Sequence, residues 1–427
     1  MTSRPSSPGA VASLRRLLTG RLMGNAIALM ISSGGTSVLG VVFWGLAAHL
    51  ATATVVGRTT AEIAAMMLLS NLAQLSFQSI FERFLPVAGV RTRAFVQRAY
   101  VMCVSVALVL TTAYVVAGFG VGYLPVAWWG RVLFVLAVGT WTVFVLQDSV
   151  LVGMRASKFV PVENLLFAVA KLALLPLLLR ASSTQGIFLA WTLPVVVAIA
   201  VVTWYIFSIR IPAHASATRA SEELPGPREL FVLAGAQYAT MVFTVFTPSL
   251  VSLIVIQRLG AVANAHYYIP SLFLVGLMLV TWSVARSFLV EAAHEPDHLR
   301  HHANTAIRGM ALVVVPAVAV GVLLAPELLR AFGREYADTG VTLLRMLLLS
   351  LPLYAINFLY SSFAWYDRRV WRMAVANVAT AGVYLAVVLA TIGRLGINAI
   401  GVASLVASGL EGAYFLPQLV RRYRSLD

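Results

Sequence analysis

Residues 57–86, GRTTAEIAAMMLLSNLAQLSFQSIFERFLP, begin at a glycine that reads as a turn, run through an apolar stretch long enough to cross a bilayer, and close on Glu82 and Arg83 just before Pro86. The stretch has a counterpart further along the chain. A shift of 203 residues places Gly57 on Gly260, Arg83 on Arg286 and Gly118 on Gly321. With ten more residues inserted, RASKFVPVEN (155–164) falls on RRVWRMAVAN (368–377). The likeness is weak residue by residue, but it keeps its phase over four successive apolar segments. That is the mark of an internally duplicated membrane protein, and such duplication is common in transporters.

Composition sets the class. Hydrophobic residues make up 60% of the 427 and charged residues only 11%, far from the soluble average. The formal charge of +15 does not point to nucleic acid. The arginines come in twos and threes between apolar runs, with no basic block or basic–aromatic interleaving. Cys103 is the one cysteine, which excludes a disulfide framework or a cysteine-based metal cluster. No metal, cofactor or catalytic residue is expected.

Apolar runs predict an all-α polytopic fold with about twelve transmembrane helices. Residues 1–21 form a Ser/Pro/Gly tail and a short basic amphipathic segment. The first span starts at Leu22 and is too long for a signal-peptide core. The second is expected at residues 60–82 and the last at 397–420. Residues 210–229, RIPAHASATRASEELPGPRE, hold three prolines and no apolar periodicity, so they read as a linker. The linker separates a first six-span lobe (22–209) from a second (230–420), with 421–427 as a tail. Six spans per lobe start both lobes on the same side of the membrane, and a cavity is expected where they meet.

Loop charges set the orientation. With the N-terminus inside, the cytoplasmic segments hold 21 of the 31 Lys and Arg and the outer loops hold 7. The bias places both termini in the cytoplasm of a multi-pass inner (plasma) membrane protein. The longest outer loop, residues 326–340 (PELLRAFGREYADTG), is read as an interfacial helix.

Three stretches carry a family resemblance: VLGVVFWGLAAHLATATVVG (38–57), LLSNLAQLSFQSIFERFLP (68–86) and LLRAFGREYADTGVTLLRMLLLSLPLYAINFLY (328–360). Together they resemble the polysaccharide-transporter (Wzx-like) branch of the multidrug/oligosaccharidyl-lipid/polysaccharide exporter superfamily. The resemblance covers almost the whole chain through loose motifs. It implies two six-helix lobes arranged as a V, alternating access, and passage of a polyprenyl-pyrophosphate-linked oligosaccharide from the inner to the outer leaflet. Expected partners are that lipid-linked sugar, membrane lipid, and the glycosyltransferases or polymerase of the same pathway. Related lipid II flippases carry two further spans and arginines in the first lobe. The first span here has no core arginine, which points away from lipid II.

Candidate site residues follow from polar groups at membrane depth. Asn71, Gln74, Gln78 and Glu82 fall within an arc of about 80° on a continuous helix. They read either as a cavity lining for sugar hydroxyls or as glue between helices. Lys171 lies about 13 Å inside span five and Asp148 about 10 Å inside span four. They are therefore expected to pair, either permanently or until a phosphate displaces the carboxylate. Glu411, about 15 Å from Arg421 along the last span, reads as a coupling carboxyl or a buried acid bonded to a neighbour. Arg286 and Arg83 end spans eight and two where a pyrophosphate would enter, although snorkelling accounts for either. Arg345 reads as snorkelling. Two rival functions remain: a cation-coupled drug or metabolite antiporter of the same superfamily, and a polytopic polymerase or glycosyltransferase. The enzyme reading is weakened by the short outer loops.

Overall fold

The computed structural model describes residues 38–217, 246–294, 296–367 and 370–426. The amphipathic N-terminal segment and most of the expected linker lie outside the described residues. Helix α1 is Val38–Leu50. The remaining helices of the first half are α2 Ala53–Ala73, α3 Phe77–Ala88, α4 Thr92–Val116, α5 Trp128–Gly153, α6 Phe159–Ala181, α7 Gly186–Tyr205 and α8 Ile211–Ala217. The second half comprises α9 Phe246–Leu259, then α10 Ala261–His294, α11 Leu299–Leu323, α12 Ala325–Arg330, α13 Arg334–Tyr366, α14 Val370–Leu395 and α15 Asn398–Arg424. Among the described residues, nine helical stretches are long and apolar enough to cross a membrane. The shorter helices α1 and α9, together with α2, complete about twelve spans in two six-helix lobes.

Four details depart from the expectations. The chain is already helical at Gly57, because Thr52 caps α2 by accepting a hydrogen bond from the Val55 amide at 3.4 Å. The turn instead falls at the counterpart, Gly260, whose φ of +89° suits glycine. The second span is two helices. Leu75 and Ser76 take φ of 47° and 62°, a left-handed conformation that costs roughly 1–3 kcal/mol per non-glycine residue. Finally, α7 continues through a π turn at Ile206–Arg210 into α8, so helix extends into the expected linker as far as Ala217. Within residues 326–340, read from sequence as one interfacial helix, the short helix α12 ends at Arg330 and the long helix α13 begins at Arg334.

The hydrophobic core is distributed unevenly. One cluster joins Phe43, Trp44, Val56 and Trp191 of the first lobe to Phe246, Ile269, Phe332 and Tyr336 of the second. It sits at the end of the bundle where α2 and α10 both begin. A second cluster, Phe77, Phe81, Leu85, Tyr100, Leu146 and Ile206, is built from the first lobe alone. The clusters around Leu347 and Ile400, around Phe288 and Phe363, and around Tyr360 and Phe415 belong to the second lobe alone. The lobes thus share a core at one end, and each keeps its own core towards the other.

Candidate functional site

The shared end is fastened by hydrogen bonds. Asn264 on α10 donates to the Gly57 carbonyl at 2.8 Å and to Thr60 Oγ1 at 3.0 Å, and Ser252 on α9 donates to Asn264 Oδ1 at 3.0 Å. A Cβ on Gly57 would lie 1.7 Å from the Ala261 carbonyl oxygen. Only glycine lets these two helices approach so closely. Trp44 stacks edge-on to Tyr268 across the same junction, with ring centroids 4.9 Å apart.

Behind the junction lies Lys171 on α6, 5% exposed. Its Nζ is 3.7 Å from the Trp191 ring centroid, 4.9 Å from that of Phe167 and 5.2 Å from that of Phe43. The expected pair with Asp148 does not form. Asp148 Oδ2 accepts from Asn164 Nδ2 at 3.3 Å, and among the described residues no ion pair joins the lysine to any carboxylate. Ring faces stabilise the ammonium without neutralising it. Asn164, the partner of Asp148, lies on the same face of α6 as Lys171 but seven residues earlier, about 10 Å along the helix axis, so the axial register of the two helices kept the acid and the lysine apart.

The polar stripe is only partly kept, because the break at Leu75 and Ser76 ends the continuous helix on which its common face rests. Gln74 is buried and donates to Ser70 Oγ at 3.1 Å. Thr142 Oγ1 on α5 lies 3.0 Å from the same hydroxyl, and Gln78 donates to Gln74 Oε1 at 2.5 Å. Asn71 turns back onto the Met67 carbonyl at 2.9 Å. Glu82 and Arg83 are exposed, and Arg83 lies over the Phe84 ring at 5.3 Å with no ion pair to Glu82. The structure therefore joins Gln74 and Gln78 in one network and leaves Asn71 and Glu82 out of it. Irregular backbone at membrane depth persists only where protein or a cavity surrounds it. Broken helices in transporters mark binding regions. No glycine or proline announces this break.

In the second lobe Glu411 is 7% exposed, and Asn357 and Thr380 face its carboxyl. Asn357 also donates to Asn377 Oδ1 at 3.4 Å. Arg286 is exposed on α10, and Arg345 donates to the Val322 carbonyl at 3.1 Å. Two buried acids escaped the sequence reading. Glu62 on α2 is 1% exposed and Glu163 on α6 is 7% exposed. Each is an acidic residue in an apolar run, a signal that was present in the sequence.

No family model and no curated protein matches the chain. Solved structures do. An inward closed conformation of the lipid II flippase MurJ superposes with a TM-score of 0.67 at 12% identity, over 94% of this chain and 90% of that one. An inward-facing multidrug resistance MATE family transporter of the MOP superfamily gives a TM-score of 0.62 at 12% identity, over 94% and 98%. The MATE multidrug transporter DinF-BH gives 0.63 at 14%, over 96% of each chain. The chain is thus a multi-pass membrane protein with the fold of MOP-superfamily transporters.

Proposed function

We propose that this protein flips a polyprenyl-pyrophosphate-linked oligosaccharide, a precursor of cell-surface polysaccharide, from the cytoplasmic to the outer leaflet by alternating access. The observation that carries this reading is Lys171, a buried ammonium whose neighbours are three aromatic rings rather than a carboxylate. An uncompensated cation at membrane depth is costly and favours an anionic guest. The cage includes Phe43 of α1, and the adjacent Trp44 touches Tyr268 of the opposite lobe. Separation of the lobes at this end would uncover the lysine. Arg83 and Arg286, exposed at the far ends of spans two and eight, would receive the pyrophosphate from the inner leaflet. Gln74 and Gln78 supply neutral hydrogen-bonding groups for sugar hydroxyls, while the polyprenyl tail stays in lipid. The protein would act in the inner membrane beside the glycosyltransferases and polymerase that make and consume the substrate.

A second reading, a cation-coupled antiporter for drugs or metabolites, is favoured by the buried carboxyls Glu62, Glu163 and Glu411. The test is export of sugar-lipid in cells carrying Lys171→Met or Arg286→Ala. Either variant should accumulate at native levels and stop export, with lipid-linked intermediates building up on the cytoplasmic side. Full export by Lys171→Met would remove the phosphate role and leave the antiporter reading ahead.

A further inference from the structure

The lipid-facing side of helices α6 and α7 carries an apolar groove of about 540 Å³. It runs from Phe159 and Tyr205 to Leu174 and Leu193, about 20 Å at the helical rise per residue. Leu166, Val197 and Val201 along it are 65%, 64% and 59% exposed, so in a membrane-spanning lobe they meet lipid. Glu163 is the one charged side chain in the lining and is itself buried. The lining includes Phe167, whose ring also lies 4.9 Å from Lys171 Nζ. The groove therefore follows the outside of the wall that holds the buried ammonium. At one end the Phe159 and Tyr205 rings meet with centroids 4.8 Å apart, and the loop charges place this end at the cytoplasmic face.

Cations gather just beyond those rings. Arg155 and Lys158 precede α6 and are exposed. Arg210, in the π turn that follows α7, donates to the Met154 carbonyl at 3.1 Å, which brings it beside Arg155. Its Nε is buried without a hydrogen bond. Among the described residues none of the three is in an ion pair, and the carboxyls Asp148 and Glu163 lie one to two turns deeper along α5 and α6. Arg155 also takes φ of +56°, a left-handed conformation uncommon for arginine. A long apolar groove with a cationic mouth matches an amphiphile made of one apolar chain ended by a phosphate. A phospholipid fits it less well, because it brings two chains and sets a glycerol between them and the phosphate. We propose that this groove docks the isoprenoid chain of the lipid carrier in the inner leaflet, with the phosphate end at Arg155, Lys158 and Arg210. On the flippase reading above, on which the site rests, the tail thus has a fixed place at the lipid-facing surface before the head group crosses.

The test is photocrosslinking of the full-length protein in phosphatidylcholine nanodiscs, with radiolabelled long-chain polyprenyl phosphate as the probe. Photoreactive benzoylphenylalanine replaces Val201 or, as a control, Val109, which is 68% exposed on α4 away from the groove. Labelling through the Val201 site should exceed that through the Val109 site at least fivefold. Unlabelled polyprenyl phosphate should suppress the excess, and equimolar dioleoyl phosphatidic acid should not. Arg155→Gly, which suits the left-handed backbone, combined with Lys158→Ala should cut the labelling about threefold in a protein that unfolds at the native temperature. Equal labelling through the two sites overturns the groove. So does equal suppression by phosphatidic acid, which would make the occupant an ordinary anionic phospholipid. If the double variant fails to fold, Val197→Trp, which fills the groove from its lipid-facing side, takes its place, and undiminished labelling in the variant that folds overturns the site. Sugar-lipid export separates the groove from the reading it rests on. Export by the native protein without preferential labelling through the Val201 site overturns the groove alone. Preferential labelling together with full export by Lys171→Met removes the phosphate role of Lys171 and leaves the groove standing.

Discussion

Asn264 donates to the Gly57 carbonyl at 2.8 Å, and this one bond joins the starts of the two helices that the internal repeat sets in correspondence. The amide also meets Thr60 and Ser252, so all of its hydrogen-bond partners at the junction are buried. The bond belongs to the conformation in which the lobes share a core at this end. The alternating access proposed above would require that it break.

Asn264→Ala should therefore loosen the junction before it harms either lobe. Loss of the amide leaves Ser252 unpartnered in a dry site, at a cost of about 1–3 kcal/mol. Faster hydrogen exchange is expected in residues 53–64 and 261–268, with no change around Phe81 or Phe363. Uniform acceleration throughout the chain would show that the junction is not a separate unit.

Gly57→Ala should be the harsher change. The new methyl would meet backbone, the Ala261 carbonyl oxygen 1.7 Å away, and backbone does not yield as a side chain does. Overpacking of this kind costs about 1–3 kcal/mol, occasionally more. Gly409→Ala on α15, where no atom lies within 4 Å, should unfold at the native temperature and serves as the control.

Lys171 can be separated from its cage. Lys171→Met keeps the volume and removes the charge, and such replacements of buried charge are often neutral or stabilising. The unfolding temperature should stay level or rise while export falls at least tenfold. Trp191→Leu removes the ring 3.7 Å from the ammonium, so it should lower stability by about 2 kcal/mol and leave some export. A large loss of stability in Lys171→Met would mean that the lysine holds the cage together.

Arg422 binds both Asp367 oxygens, at 2.8 and 2.9 Å, tying α15 to the end of α13. The side chains are 31% and 22% exposed, so water and salt weaken the pair. Asp367→Asn should cost about 0.5–1 kcal/mol, and the difference from the native protein should shrink at high salt. A salt-independent difference would assign the loss to packing.

Reporter fusions after Arg424 and within residues 216–223 should both read cytoplasmic, since 21 of the 31 Lys and Arg fall on that side in a twelve-span chain. An outside signal from either fusion would break the proposed orientation.

Much of the architecture was legible in the sequence. Apolar length set the spans, because a bilayer of fixed thickness demands about twenty residues per helix. The offset of 203 aligned Gly57 with Gly260, yet the two glycines do different work, one admitting a close approach and the other making a turn. Lys171, Glu411 and Gln74 stood out because polar groups are rare at that depth.

What the sequence determined is what the apolar runs fix: the class, about twelve spans, and which polar residues fall inside those spans. What only the tertiary structure decided depends on the register and rotation of neighbouring helices and on departures from regular helix. Lys171 faces Trp191 instead of Asp148, and Asp148 shares its surroundings with Glu163 and Tyr100. The second span breaks at Leu75 and Ser76 without glycine or proline. Asn264, an unremarked residue in the chain, fastens one lobe to the other. Depth accumulates by a constant rise per residue and can be counted. The neighbours of a side chain depend on how several helices pack at once, and no single stretch of sequence contains that information.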